Sequence, residues 1–338
     1  CRTIGNPVNK TSLALTLTLG ATLVACGGPT DVKAPSEKLA FFKTAAITPK
    51  PAKTSNPDMI ALGKALYHDK RLSSDGTISC ASCHSLDTWG VDNKPVSPGV
   101  GGQLGTRNSP TSINAFRQVA QFWDGRAATV EEQALGPLLN PIEHGLKTEA
   151  DVVTILKKDP ETVAAFGKAF PGEDDAVTFA NVGNAIGAFE RTLVTTSRFD
   201  KFLDGDEKAL TNEEKQGLLD FVEVGCTTCH SSRMLGGQMM QKLGLVYPYP
   251  TKDLGKAEET KQDADKSFFK ASSLLNIEKT APYLHDGSIK TLEEVTKMMA
   301  WNQLGKGLPK SKVDSIVTFM KALTGELPAS AKVSTSQQ

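Results

Sequence analysis

Aromatic side chains are scarce: Phe, Trp and Tyr make up 6% of the 338 residues. Something other than aromatic side chains must therefore help fill the interior. A surplus of charge is missing too, with 38 Lys+Arg against 38 Asp+Glu. That balance argues against a nucleic-acid binder, which would carry excess basic charge. No apolar run reaches the ~20 residues of a membrane-spanning helix, and no convincing strand series is found. What is present is ordinary: 39% hydrophobic and 22% charged residues exclude wholesale disorder. At ~100–200 residues per domain the length fits two domains. The 29 Gly and 18 Pro predict much loop.

The first segment reads as an address. Arg2 and Lys10 are the only charges before Asp31, and the apolar stretch from Ser12 to Ala25 follows them. A basic start and a short apolar run make an export signal over 1–25. It ends in Leu23-Val24-Ala25-Cys26, which resembles the bacterial lipobox, where the cysteine is lipidated and becomes the mature N-terminus. Gly27 at the next position points to the outer membrane. The expectation is a periplasmic protein that meets a membrane only through a lipid on Cys26; a plain signal peptide with an incidental Cys26 is the alternative. Residues 26–56, rich in Pro, Lys, Thr and Ser, read as a tether.

Helical spacing of apolar residues predicts helices over 57–73, 129–138, 148–158, 160–169, 176–196, 211–224, 291–300 and 310–323. Asn56-Pro57 supplies a cap and a first-turn proline, and Thr211 with Glu214 forms a capping box. Residues 87–112 and 236–266 read as loops, and 326–338 as a disordered tail. The class is mainly α, with domains over 57–200 and 201–325.

Four of the six cysteines lie in two copies of one motif, Cys80-Ala-Ser-Cys83-His84 and Cys226-Thr-Thr-Cys229-His230. C-x-x-C-H is the attachment motif of c-type haem. On a helical turn, residues i and i+3 share a face and can bond two vinyl groups of one porphyrin, while the next residue presents its imidazole to the iron. Covalent haem would also supply the interior bulk that aromatic residues do not. A four-cysteine zinc site or a disulfide or redox pair would leave both histidines unexplained, although the chain has only five.

Each histidine fills one axial position. Beyond the second motif stand Met234, Met239, Met240, Met298, Met299 and Met320; between residues 85 and 225 there is no methionine and a single histidine, His144. A sulfur ligand suits electron transfer and an open face suits small-molecule activation. The asymmetry therefore points to a redox enzyme.

Further strings surround these motifs: Leu62-Gly-Lys, Arg71-Leu-Ser, Arg107-Asn-Ser-Pro-Thr, Gln121-Phe-Trp-Asp-Gly-Arg-Ala127, Gly136-Pro-Leu-Leu-Asn-Pro-Ile-Glu143, Thr280-Ala-Pro-Tyr-Leu-His-Asp-Gly287 and Thr291-Leu-Glu-Glu. With them the chain resembles the bacterial dihaem cytochrome c peroxidase family over most of 57–303. The resemblance implies two cytochrome-c-like haem domains and two covalently bound haems. It also implies reduction of hydrogen peroxide by electrons from a small periplasmic cytochrome c or cupredoxin. His84 would be the proximal ligand of the peroxidatic haem, and His230 with Met299 would ligate the electron-transfer haem. Trp123 would lie between them, Glu143 would be the distal acid/base, and calcium would take Asn108 and the carbonyls of Thr280 and Pro282. Relatives are often dimers, which makes a homodimer an expectation here.

Plainer roles stand beside these. Glu143 could close a capping box begun at Asn140, and Trp123 could be a core aromatic. Helical phase lets only one of Met298 and Met299 face a haem. His285 reads as structural, beside a haem propionate, and His68 as a solvated helix end. The chain also departs from the family. Many members carry a histidine sixteen residues after the first proximal one, where this chain has Val100. An iron left open is one consequence; a cap by His144 is the other. Leu275 stands where the family has Arg, which puts one propionate contact in doubt. Two competing functions are a dihaem electron carrier and an oxidase that matures a protein-derived cofactor; that oxidase has Tyr on its second iron, so Met299 argues against it.

Overall fold

The computed structural model describes residues 32–43 and 56–332. The export signal and Cys26 lie outside the described residues. Ser36–Lys43 forms α1. Pro57–Tyr67 forms α2, with Asn56 Oδ1 accepting from the Met59 amide at 2.7 Å. The predicted helix stops six residues early. Asp69 begins a separate 3-10 turn over Lys70–Leu72 by accepting from the Arg71 amide. The first motif supplies the single helical turn α3, Cys80–Cys83.

Four helices follow: α4 (Val130–Leu139), α5 (Glu149–Lys157), α6 (Pro160–Ala169) and α7 (Phe179–Glu190). The last is trimmed at both ends because Thr178 caps it and Arg191 ends it. α8 (Arg198–Leu203) is absent from the apolar-spacing reading; its signal is the Ser197/Asp200 capping box. α9 (Asn212–Val224) has the expected Thr211/Glu214 box. β1 (Met240–Lys242) and β2 (Phe268–Lys270) form a short antiparallel ribbon flanking α10 (Ala257–Thr260). α11 (Leu292–Leu304) runs a turn longer than predicted, and α12 (Lys310–Lys321) ends the helical series. The chain is mainly α, and none of its described helices is long and apolar enough to cross a membrane.

Two buried clusters organise these helices. Leu66, Tyr67, Leu138, Leu156, Phe166 and Phe189 centre the first, drawn from α2 and α4–α7. Phe199, Leu218, Phe221, Val313, Ile316 and Phe319 centre the second, from α8, α9 and α12. The tightest helix crossing in each core is made through a glycine. A Cβ on Gly63 of α2 would lie 1.8 Å from the Ala185 carbonyl oxygen of α7. One on Gly217 of α9 would lie 2.1 Å from that of Ser315 in α12. Neither crossing has room for a side chain.

The chain ends differ from expectation. Inside the span read as a tether, α1 docks on the second core: Phe42 is fully buried, with its ring edge-on to Phe199 at 5.3 Å. The Phe41 carbonyl accepts from the Ser232 amide at 2.8 Å. Full burial of such a ring contributes about 1.5–3 kcal/mol, enough to hold the strap in place. The span read as a disordered tail is ordered through Lys332. Ala331 is buried in the first core with Leu327 packed beside it, and Ser330 Oγ donates to the Thr192 carbonyl at 3.1 Å. The polar composition of the two spans as wholes hid both contacts, although Leu39-Ala40-Phe41-Phe42 is a short apolar run.

Candidate haem-binding and peroxidatic site

The two motifs fold alike. His84 and His230 each donate a backbone N–H one turn back, to Cys80 and Cys226, both at 2.9 Å. Their rings are fixed by carbonyls. His84 Nδ1 donates to Gly90 at 3.3 Å, and His230 Nδ1 donates to Leu235 at 3.0 Å. A ring held at Nδ1 presents Nε2 as a lone-pair donor. Tyr67 Oη adds a bond to the His84 carbonyl at 2.6 Å, which ties the first motif to the core.

None of the four motif cysteines is in a disulfide. Burial pushes Cys80 and Cys226 up to about 12, so neither is a ready thiolate. Reactive redox cysteines show the opposite shift. Among the described residues no three His, Cys, Asp or Glu side chains gather as a metal cluster, so the two pairs do not build a zinc site. Each motif instead borders its own cavity: about 410 Å³ beside His84 and about 230 Å³ beside His230. Paired thiols, an imidazole with a free Nε2 and an adjoining cavity fit a covalently attached haem.

The cavities differ in chemistry. Met299 and Met320 border the His230 cavity, whereas Met298 does not. Helical phase along α11 thus turns Met299 rather than Met298 to this cavity, and α12 brings a second sulfur. Apart from His84 itself, the lining of the His84 cavity contains no histidine and no methionine. It contains Glu143. The Asn140–Glu143 stretch is a turn after α4 with no helix beyond it, so the capping-box reading of Glu143 falls. Asn140 Nδ2 donates to Glu143 Oε1 at 2.8 Å. Burial pushes the carboxyl above its ordinary range, and the Arg126 guanidinium opposes that rise.

Neither residue weighed as a determinant of the open face borders this cavity. Val100 is buried in a 3-10 turn, its amide donating to the Glu143 carbonyl at 3.0 Å. His144 is buried, with Nδ1 donating to the Leu72 carbonyl at 2.7 Å. Trp123 borders both cavities, and its indole N–H donates to the Asn108 carbonyl at 2.8 Å. Asn108, Thr280 and Pro282 share the wall of the His230 cavity. His285 is buried there too, stacked on Phe269 at 4.2 Å with Nε2 against Thr251 Oγ1. Leu275 is buried in the second core. His68 is half-buried, and its buried Nε2 has no partner, so it is not the solvated residue expected.

Three features escaped the sequence. Arg126 borders the His84 cavity, its guanidinium 3.4 Å over the Phe122 ring and bonded to Asp124 at 2.8 Å. Arg107 joins that Asp124 to Asp253, bridging chain segments 146 residues apart. Glu190, at the end of α7, borders the same cavity; burial, with Glu131 nearby, pushes its carboxyl up to about 8. The Gln121–Ala127 string contained the first of these, but nothing local to Glu190 marks it.

With this geometry in view, comparison with known proteins decides the family. The family profile for di-haem cytochrome c peroxidase matches residues 57–208. A cytochrome c551 peroxidase of Nitrosomonas europaea is 42% identical over 93% of this chain and 91% of its own. This chain belongs to the di-haem cytochrome c peroxidase family. Its relatives make it a peroxidase-class oxidoreductase, and the family implies two haems. The cytochrome c peroxidase Ccp of Escherichia coli K12 is 44% identical over 82% of this chain, which spans 61% of that longer protein. Among solved structures, a MauG-like protein associated with microbial copper homeostasis superposes with a TM-score of 0.75 at 30% identity. It covers 86% of this chain and 96% of its own.

Proposed function

We propose that the protein reduces hydrogen peroxide to water in the periplasm, with electrons supplied by a small c-type cytochrome or cupredoxin. Two c-type haems would be held in separate domains, one on Cys80, Cys83 and His84, the other on Cys226, Cys229, His230 and Met299. Bound haem supplies the iron that accepts the peroxide and exchanges electrons. The observation that carries the reading is the contrast between the cavities: an acid with no opposing sulfur or imidazole beside His84, and methionine sulfur beside His230. The first suits substrate and the second electron transfer.

Glu143 would take the proton from one peroxide oxygen and deliver it to the other, so that the second leaves as water. Asn140 orients the carboxyl for that transfer. Electrons would arrive on the His230 side and cross by Trp123, the aromatic side chain common to both walls. Calcium held by Asn108 and the Thr280 and Pro282 carbonyls would brace that wall. Lipidation at Cys26 would keep the enzyme at the outer membrane, and a homodimer is its proposed assembly.

The test is EPR and optical spectroscopy of the fully oxidised holoprotein before and after one equivalent of peroxide. A high-spin ferric signal consumed by peroxide is expected. Two low-spin irons, inert until one electron is added, would overturn the open face. No reaction even after that electron would leave an electron carrier.

A further inference from the structure

Lys270 is a buried cation to which the proposed chemistry gives no role. It ends β2 and is only 5% exposed, yet it borders both cavities. Its backbone amide donates to the Trp123 carbonyl at 2.8 Å, which fixes it against the residue between the cavities. Its Nζ donates to the Ala120 carbonyl at 2.9 Å and reaches no carboxylate. Asp124, the nearest opposing charge, is taken up by Arg107 and Arg126. Burial lowers the ammonium to about 8. A cation so buried needs a counter-charge.

Two residues along, Ser272 borders the His230 cavity, and its buried hydroxyl has no partner. Gln118 borders both cavities, with its amide oxygen equally unpartnered. An ammonium without a carboxylate and a hydroxyl without any partner thus line the His230 cavity. A c-type haem brings what they lack, because its two propionates are carboxylates that cannot stay bare in an apolar cavity.

We propose that Lys270 and Ser272 form the seat for a propionate of the haem bound on His230, with the Lys270 ammonium a counter-charge shared with the His84 side. The ammonium pairs with the carboxylate as the Ser272 hydroxyl donates to it. A fixed cation here also favours an arriving electron, because reduction adds negative charge to a weakly screened site. Lys270 is therefore a positioning residue that sets the potential of the electron-accepting centre. The inference rests on the proposed haem at Cys226 and Cys229.

The experiment is a spectroelectrochemical titration of holoprotein carrying Lys270→Met, Lys270→Arg or Ser272→Ala. Lys270→Met is expected to shift the His230-side equilibrium about tenfold toward the oxidised form, or about 59 mV for one electron. Ser272→Ala should shift it two- to threefold the same way, and Lys270→Arg should stay within twofold of the parent. A merely structural tie to Ala120 would leave the potential in place, so a Lys270→Met protein within twofold of the parent overturns the proposal. Should Lys270→Met fail to hold two haems, Ser272→Ala decides: no shift overturns it. A parent protein with no haem on the second motif would instead refute the underlying reading.

Discussion

Replacing Glu143 with Gln keeps the shape of the side chain and removes its base. Peroxide turnover should fall by about 10²–10⁴, with both haem spectra unchanged, as steady-state assays would show. Glu143 must be ionised to accept a proton, and burial holds its pKa above the ordinary carboxylate range. Activity should therefore fade as pH drops through that raised value, and Arg126→Gln, which removes the opposing cation, should move the acid limb to higher pH. Glu190 carries a different signature. Its folded pKa of about 8 exceeds the ordinary 4.5, so between those values the native state binds the extra proton. Stability should fall as pH rises across that window, and Glu190→Gln should flatten the slope in urea melts. Helical phase alone left Met298 and Met299 open, whereas the two Cys-x-x-Cys-His motifs were legible because their spacing is a local property. Lys270 and Glu190 were not, because a lysine in a short strand and a glutamate ending a helix look ordinary until folding strips their water.

At the level of elements, the closest contacts are the two glycine crossings. Gly63→Ala and Gly217→Ala each force two helices apart, at a cost of about 1–3 kcal/mol. Chemical denaturation should show each as a lowered midpoint. Apolar spacing made most elements readable, with caps read at Asn56 and Thr211; Thr129 and Thr148 also accept from the N3 amide. α8 was missed because six residues are too few for an apolar period to stand out, although Ser197 and Asp200 announced it. The ribbon was missed because three-residue strands carry no alternation and exist only by pairing across a long loop.

Across the whole molecule, the chain braces itself by exchanging ends. α1 lies on the second core and residues 327–331 lie on the first. Deleting residues 327–338 should therefore loosen the His84 side, far away in sequence, more than the His230 side. Hydrogen exchange of α2 and α7 against α9 and α12 would show that difference. No composition rule foretells such an exchange, because composition does not say which core a short apolar stretch will dock on.

That exchange also sets an order of assembly. A chain that emerges from its N-terminus shows Cys80 and Cys83 early, but Leu327 and Ala331, which complete that core, come long after its other residues, which end at Leu193. The His84 side thus stays unfinished until residues 327–331 are made, whereas the second half receives Phe42 in advance, waiting for Phe199 to appear. The half made first is closed last.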